Sequence, residues 1–293
     1  MNARHNVYLI DGTYELFRHF YGVRSHLTPA GREVGATRGV IGSIVGMLEE
    51  GVRHLGVATD QVIESFRNGM WPGYKTGAGI DPLLWQQFPL LEEGVRDLGV
   101  TLWAMVELEA DDALASAAVR AAADPGVERV YICTPDKDLA QCVSGDRIVQ
   151  LERRTGKLFN EAGVIEKFGV PPASIPDYLA LVGDSADGFP GLPGWGARST
   201  AAVLGRYGTL ETIPPSPSDW DIPNLRGASR LAQTLYEQRD LVMLFRDLAR
   251  LRLDAPVFDS VDELAWQAPT PDFASFCEKI DAANLLTRVG LTT

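Results

Sequence analysis

Short apolar runs alternate with longer amphipathic segments through the first half of the chain. Three of these runs occupy residues 7–10, 54–58 and 129–133, and an acidic residue follows each of them within a few positions. Continuous apolar runs of this length are typical of strands that are buried on both faces of a parallel sheet. The sequence therefore predicts parallel strands that are followed by carboxylates.

The intervals between these runs have helical periodicity. Helical patterns occur at about residues 37–55, 83–98 and 110–123. Alternation of strands and helices predicts an α/β fold with a mostly parallel sheet and crossover helices. Ligands of such sheets bind beyond the carboxyl ends of the strands, so we expect the acids to converge on one crevice there.

Two regions depart from this alternation. Residues 65–82 are rich in glycine, partly basic and without core periodicity, which indicates a mobile loop over the site. From about residue 171 the pattern changes to short helices joined by Gly and Pro turns. We therefore expect a core domain at 1–170 and a small helical region at 171–293.

Composition limits the ligands, the location and the kind of metal site that we expect for the chain. The 293 residues include 39 acidic and 27 basic side chains, giving a formal net charge of −12, which argues against binding a polyanion. No run approaches the roughly 18 apolar residues of a membrane span, and no secretory leader pattern is present, so we expect a cytoplasmic protein without a membrane partner. The three cysteines and four histidines lack metal-ligand spacing. Any metal ion must therefore be held by oxygen atoms.

Carboxylates occur in local clusters that could supply those oxygen atoms. Each cluster also has a purely structural interpretation, because acidic residues at the start of a helix cap its N-terminus and an Asp-Gly pair can form a simple turn. Their conjunction favours a site for Mg²⁺ or Mn²⁺, since two such ions can activate a water and stabilise a leaving oxygen. The clustered acids are Asp11, Asp60, Glu109, Asp111, Asp112, Asp136, Asp138, Asp184 and Asp187.

Several motifs in order give the chain a family resemblance. They include Asp11-Gly12, Ser65 to Arg67, Gly73 to Lys75, Thr134 to Leu139 and Gly183 to Asp187, together with the acids above and the run at 190–201. Over residues 8–213 the chain resembles the bacterial and phage flap endonucleases. This family forms the 5′ nuclease domain of DNA polymerase I and also occurs as free-standing proteins.

The resemblance implies a PIN-like α/β core, a helical arch at about 65–98 and a helix-three-turn-helix module within 171–293. It also implies two divalent ions. The acids of the first ion would be Asp11, Asp60, Glu109, Asp111 and Asp112. Asp136 would lie between the ions, and the second ion would be held by Asp138, Asp184 and Asp187. These acids and two bound ions would account for the excess negative charge.

The glycine-rich turn before the helix near residue 197 is the expected contact with duplex DNA. Small residues and backbone amides at such a turn let a phosphate approach closely. In the family this turn also binds K⁺ through backbone oxygens. The candidate DNA-binding residues are Gly191, Gly194, Gly196, Arg198, Ser199 and Thr200. We expect the neighbouring Trp195 to pack beneath the turn, although it could instead lean on the sugar-phosphate chain.

Arg67 and Lys75 lie where the resemblance places the base of the arch, and we expect them to be catalytic cations that neutralise charge on the scissile phosphate. The alternative is that they are solvated surface charges. The chain departs from the family pattern at Ala78, where relatives commonly have a basic residue, and at Gly188, where they commonly have a polar residue. Trp71 and Tyr74 could stack on an unpaired base or pack on the core.

The implied function is a 5′-3′ exonuclease and flap endonuclease that acts on 5′ flaps and on nicked or 5′-ended duplex DNA. We expect a monomer that works with replication or repair proteins. One alternative is a structured-DNA binding protein with weak or no nuclease activity, which the departure at Ala78 favours. Another is an RNA-cleaving PIN protein, although such proteins are usually shorter and lack the Asp184 and Asp187 cluster.

Overall fold

The computed structural model describes residues Arg4–Leu291, so the outer ends of the two predicted domains, at 1–3 and 292–293, lie outside it. Six strands occur in this part of the chain: β1 His5–Asp11, β2 His54–Asp60, β3 Thr101–Met105, β4 Val127–Cys133, β5 Ile148–Glu152 and β6 Lys157–Phe159. Its helices are α1 Gly12–Gly22, α2 Gly35–Glu49, α3 Pro82–Trp85, α4 Gln87–Asp97, α5 Ala110–Ala123, α6 Glu161–Phe168, α7 Ile175–Val182, α8 Ala197–Tyr207, α9 Ala228–Glu237, α10 Arg239–Ala249, α11 Phe273–Lys279 and α12 Asn284–Arg288.

The chain forms two compact units, and each unit is made of segments that are separated in the sequence. The first unit contains the residues up to Ile63, then Gly77–Thr134, and then those from Leu253 onward. The second unit contains Glu64–Thr76 and Pro135–Arg252. The predicted boundary at residue 170 stays a prediction about sequence modules, because these units are defined by packing and are not continuous in sequence.

The first unit is built on four parallel strands in the order β3-β2-β1-β4. Val7, Leu9 and Ile10 of β1 are fully buried, as are Leu55 and Val57 of β2. Helix α5 carries the chain from β3 to β4 and contacts all four strands. The predicted α/β fold with a mostly parallel sheet and crossover helices is therefore confirmed.

The segment predicted as a helical arch, residues 65–98, is helical only in part. Residues 87–97 form α4, whose apolar side packs on β3 and α2 within the first unit. Residues 70–81 contain no helix or strand. Glycine is a poor helix former, and this stretch carries several glycines, including Gly79 with φ of +86°. The absence of helix at 70–81 agrees with the loop that the sequence predicts there, and α4 agrees with the predicted helical pattern at 83–98. That the segment forms an arch stays a prediction from the resemblance.

The C-terminal residues were grouped with the helical region by sequence, but they pack in the first unit. The indole of Trp103 on β3 donates to the carbonyl of Val257 at 2.7 Å, and the indole of Trp266 donates to the carbonyl of Leu98 at 2.8 Å. Helix α11 contacts α4, and α12 contacts α2. These contacts join residues that are far apart in sequence.

Within the described residues, no helix has the length and apolar character needed to cross a membrane.

The second unit is mostly helical around one apolar core. Helices α7 and α10 pack together, and Phe189 stacks on Phe245 at 5.6 Å between ring centroids. Strands β5 and β6 form an antiparallel hairpin. Helices α7 and α8 are joined by the glycine-rich turn, which agrees with the helix, turn and helix order expected for a DNA-binding module.

A short clasp within the second unit joins residues 71–75 to the turn at 187–188. The backbone N–H of Lys75 donates to the carbonyl of Asp187 at 3.0 Å, and the indole of Trp71 donates to the carbonyl of Gly188 at 3.1 Å. Gly188 has φ of +82°, and an added Cβ would lie 2.0 Å from the carbonyl oxygen of Gly73. The clasp therefore requires glycine at position 188, which explains this departure from the family pattern.

A first prediction concerns pH. The rings of His5 and His54 stack at 3.9 Å, and burial together with His5 lowers the pKa of His54 below its ordinary value of 6.5. The unfolded chain then binds protons more readily, so stability is complete above about pH 6.5 and is lost as the pH falls below it. Urea unfolding of wild type should show a larger loss between about pH 7.5 and about pH 5.5 than unfolding of His54→Gln.

His26→Gln, which keeps the stacked pair, is the control and should not flatten the pH dependence. An equal loss in wild type and His54→Gln would contradict the assignment.

A second prediction tests the clasp. Gly188→Ala should lower the free energy of unfolding by at least about 2 kcal/mol, because it combines strain at positive φ with a backbone clash. Gly194→Ala is a matched control, since Gly194 has φ of +86° but an added Cβ would meet nothing within 4 Å. Its loss should be about 1 kcal/mol, from backbone strain alone. Equal losses in urea unfolding would show that the close approach at Gly188 is unimportant.

Candidate metal centre

Asp11 and Asp60 end adjacent parallel strands in the first unit, as the strand pattern predicts. The Asp11 carboxylate accepts from the backbone N–H of Tyr14 at 2.8 Å and from the hydroxyl of Thr134 at 3.0 Å. The Asp60 carboxylate accepts from the backbone N–H of Ala110 at 2.8 Å, which is the first residue of α5. Both acids are buried. The fold therefore places Asp60 at the acidic start of α5.

The acidic residues at the start of α5 differ in their surroundings. Asp112 is fully buried, and its carboxylate accepts from the backbone N–H of Glu109 at 3.0 Å. Glu109 is 2% exposed, whereas Asp111 is half-buried. Asp112 thus has the capping role that the sequence left open, since such a bond satisfies a backbone donor at the helix N-terminus.

The second unit brings three acids together. Asp138, Asp184 and Asp187 are buried, and each offers a carboxylate oxygen that lies within 4.8 Å of the other two. Their neighbour Asp136 is exposed, and its carboxylate accepts from the backbone N–H of Asp138 at 3.0 Å. Three clustered carboxylates are a suitable oxygen donor set for a hard divalent cation.

Backbone turns hold Asp184 and Asp187 in place. Asp184 and Phe189 exchange two backbone hydrogen bonds, and the Asp184 carboxylate also accepts from the backbone N–H of Ala186 at 2.9 Å. Gly183 has φ of +88°, and an added Cβ would lie 2.4 Å from the carbonyl carbon of Pro190. The chain before Asp184 can approach Pro190, beyond Asp187, this closely only because position 183 lacks a side chain.

Two lysines contact this cluster. The Nζ atom of Lys75 lies 3.1 Å from an oxygen of Asp187, and Nζ of Lys137 lies 2.9 Å from an oxygen of Asp184. Burial by itself would lower the pKa of Lys137, but hydrogen bonding and attraction from Asp184, with smaller contributions from Asp138 and Asp136, raise it above its ordinary value. Lys137 therefore carries a positive charge at neutral pH. The sequence analysis overlooked it, although its position between two candidate ligands was a signal.

Arg67 does not have the position that the sequence predicted. Its side chain is among the largest that are fully buried, and its guanidinium donates to the carbonyls of Leu248 at 2.8 Å and Arg250 at 3.0 Å. A guanidinium that is enclosed and bound to backbone carbonyls is not available to a phosphate. Arg67 therefore fastens residues 64–76 to the end of α10, and the prediction that it is catalytic is corrected to this structural role.

Residues of the glycine-rich turn divide into exposed and buried positions. Gly194, Gly196 and Arg198 are exposed, Ser199 is half-buried, and Gly191 and Thr200 are buried. The Ser199 hydroxyl accepts from the backbone N–H of Gly196 at 3.1 Å and so caps α8. Thr200 has no exposed surface, so its predicted role as a direct DNA contact is corrected.

The aromatic alternatives are resolved in favour of packing. Trp195 is 5% exposed beneath the turn, and its indole donates to the carbonyl of Leu231 at 3.3 Å. Tyr74 is also buried, and the half-buried Trp71 meets Phe245 edge to face at 5.2 Å. Trp195 and Tyr74 are therefore too enclosed for a base to stack on them, and Trp71 packs on the core through Phe245.

Comparison with known proteins identifies both parts of the chain. The sequence model of the 5′-3′ exonuclease N-terminal resolvase-like domain matches residues 6–169. The model of the 5′-3′ exonuclease C-terminal SAM fold matches residues 170–272.

The chain is 31% identical over 291 residues to DNA polymerase I of Bacillus caldotenax, covering 94% of this chain but 32% of that protein. It thus spans about a third of the length of such polymerases. It is also 32% identical over 210 residues to a 5′-3′ exonuclease of Aquifex aeolicus, covering 71% of each chain.

A structure of the bacteriophage T5 flap endonuclease, in a pseudo-enzyme–product complex with DNA and metal ions, has the same fold. Its TM-score is 0.62 at 17% identity, with 98% of this chain and 100% of that chain covered. With the two family models and the Aquifex relative, the conclusion is that the chain belongs to the 5′-3′ exonuclease family, with a resolvase-like N-terminal domain followed by a SAM fold.

Proposed function

We propose that this chain is a structure-specific 5′ nuclease that hydrolyses DNA phosphodiester bonds, both exonucleolytically from 5′ ends and at 5′ flaps. The observation that carries the proposal is the buried cluster of Asp138, Asp184 and Asp187 in a member of the 5′-3′ exonuclease family. Nicked and 5′-ended duplexes would also be substrates. The other ion stays a prediction from the resemblance, with Asp136 between the two ions. Its expected ligands are Asp11, Asp60, Glu109, Asp111 and Asp112.

The donor set fits a divalent ion. Carboxylates repel one another when they are buried together, and a hard cation such as Mg²⁺ or Mn²⁺ relieves that repulsion by binding their oxygens. When bound, such ions lower the pKa of a water and stabilise the leaving oxygen of a phosphodiester. The backbone N–H of Ala186 keeps the Asp184 carboxylate oriented for this task, and the backbone N–H of Asp138 is bound to the carboxylate of the neighbouring Asp136.

Lys75 is the proposed catalytic cation. Its ammonium group lies at the edge of the acidic cluster, 3.1 Å from Asp187, and the clasp fixes its backbone. A positive charge at this position would stabilise the charge that develops on the scissile phosphate, which is favourable chiefly in the transition state. This role requires correct positioning rather than proton transfer.

The turn before α8 is the proposed contact with the duplex. Arg198 is exposed in the first turn of that helix, and Gly194 and Gly196 leave the backbone open to a phosphate. The relative from bacteriophage T5 was crystallised with DNA, which supports a DNA-binding role for the chain. We further propose that backbone oxygens of this turn bind K⁺.

We also propose that the chain acts as a monomer in the cytoplasm, together with replication or repair proteins.

A third prediction tests the metal ligands. Asp138→Asn should lower cleavage of a labelled 5′ flap in Mg²⁺ by at least about 100-fold, because it removes a charged ligand. DNA binding and thermal stability should persist, since the change is nearly isosteric and relieves repulsion in the cluster. Asp240→Asn, at an exposed acid of α10, is the matched control and should cleave normally.

The same assay, run with Mg²⁺, Mn²⁺ or a chelator, separates catalysis from simple binding. Tight flap binding by wild type without cleavage in either metal would favour the alternative of a structured-DNA binding protein.

A fourth prediction concerns Lys75. Lys75→Ala should reduce the single-turnover rate on saturating flap DNA by at least about tenfold, a barrier increase of about 1.4 kcal/mol, with little change in equilibrium binding. Lys157→Ala on β6 is the control, because this lysine contacts the ring of Phe159 instead of an acid of the cluster. Weakened binding with an unchanged rate would instead assign Lys75 to capture of the 5′ strand.

A further inference from the structure

The acidic cluster of the second unit is paired with cations of the chain itself. Lys137 lies between Asp136 and Asp138 in sequence, yet its ammonium contacts Asp184, 2.9 Å from Oδ2. The other oxygen of Asp184 accepts from the backbone N–H of Ala186. One oxygen of this buried carboxylate is thus held by the backbone and the other by a lysine.

A divalent ion and this ammonium group would repel each other if both were close to Asp184. Metal–oxygen bonds of Mg²⁺ are about 2.1 Å long, so an ion on Oδ2 would lie roughly 4 Å from Nζ of Lys137. Two cations at that separation repel strongly wherever water is largely excluded. The side chain of Asp184 is only 3% exposed, so solvent screens this repulsion poorly.

Lys137 has room to leave. Its side chain is 36% exposed, and it borders an open cavity of about 570 Å³ that is also lined by Asp184, Gly188 and Pro190. Lys75 is more confined, because its side chain is 23% exposed and its backbone N–H is bound to Asp187. Of the two lysines, Lys137 is the one that the surrounding space allows to move.

We propose that Lys137 is an exchangeable counter-ion: it neutralises Asp184 in the metal-free protein and withdraws when a divalent ion binds, so it sets the ion concentration at which this cluster fills. The inference rests on the proposed function, since it assumes that the cluster binds a divalent ion. The rival role is a lysine that stays in contact and orients Asp184 in the loaded protein. The two roles predict opposite effects on metal affinity.

The test is Mn²⁺ binding by the full chain without DNA, followed by electron paramagnetic resonance at fixed ionic strength. Lys137→Met removes the competing charge, so it should tighten Mn²⁺ binding by at least about fivefold. Lys137→Arg keeps the charge and should stay within about twofold of wild type. Lys157→Met is the matched control and should leave the affinity unchanged. Lys137→Gln is a second uncharged variant in case Lys137→Met does not fold.

A double substitution tests whether Lys137 affects Mn²⁺ binding through its contact with Asp184. In an Asp184→Asn background the contact with Lys137 loses its charge, so Lys137→Met should no longer tighten Mn²⁺ binding. A second readout is the melting temperature: metal-free Lys137→Met should melt below wild type and gain more from added Mn²⁺ than wild type does. Unchanged or weaker Mn²⁺ binding by both uncharged variants would overturn the inference and leave Lys137 as an orienting residue.

Flap cleavage, measured separately, distinguishes this inference from the proposed function. Tighter Mn²⁺ binding by Lys137→Met in a protein that cleaves no DNA would support the counter-ion role and remove the proposed nuclease activity. Normal flap cleavage by wild type without tighter binding in the variants would overturn the counter-ion role alone. Absence of Mn²⁺ binding by wild type would overturn both.

Discussion

Repulsion among buried carboxylates is the constraint on which the architecture of the second unit depends. Asp138, Asp184 and Asp187 lie within 4.8 Å of one another, and burial of like charges is unfavourable unless cations or hydrogen bonds compensate them. The unit supplies both: the ammonium groups of Lys75 and Lys137 pair with two of the acids, while the turns that start at Gly183 fix the backbone. The local fold of the second unit therefore holds the negative charges of these three carboxylates in a small volume.

The first unit also buries carboxylates, and backbone N–H groups at the starts of helices contact them there. Asp11 accepts a backbone N–H at the start of α1, Asp60 accepts one at the start of α5, and Asp112 caps α5 from within. Helix N-termini carry partial positive charge, so they stabilise carboxylates that lie beside them. Backbone N–H groups at helix starts thus contact acids of the first unit, and ammonium groups contact two of the three clustered acids of the second unit.

Sequence analysis succeeded where the determinants are local. Period and run length identified β1, β2 and β4 but missed β3, and they placed Asp11 and Asp60 at strand ends. The order of the motifs led to the family. It failed where the determinant is a contact between distant residues. The burial of Arg67 depends on the carbonyl of Leu248, 181 positions away, and nothing near Arg67 in the sequence indicates it. The anchoring of residues after Leu253 likewise depends on Trp103 and Trp266, whose partners are set by tertiary packing.

The discontinuity of the two units has a consequence for synthesis of the protein. The chain leaves the first unit after Ile63, returns at Gly77, leaves again after Thr134 and returns at Leu253. A ribosome delivers the N-terminus first, so the early strands emerge long before the indole of Trp103 can meet Val257. Domains generally fold as units during translation. Here the residues from Leu253 onward, which pack in the same unit as the parallel sheet, are made only after every residue of the second unit.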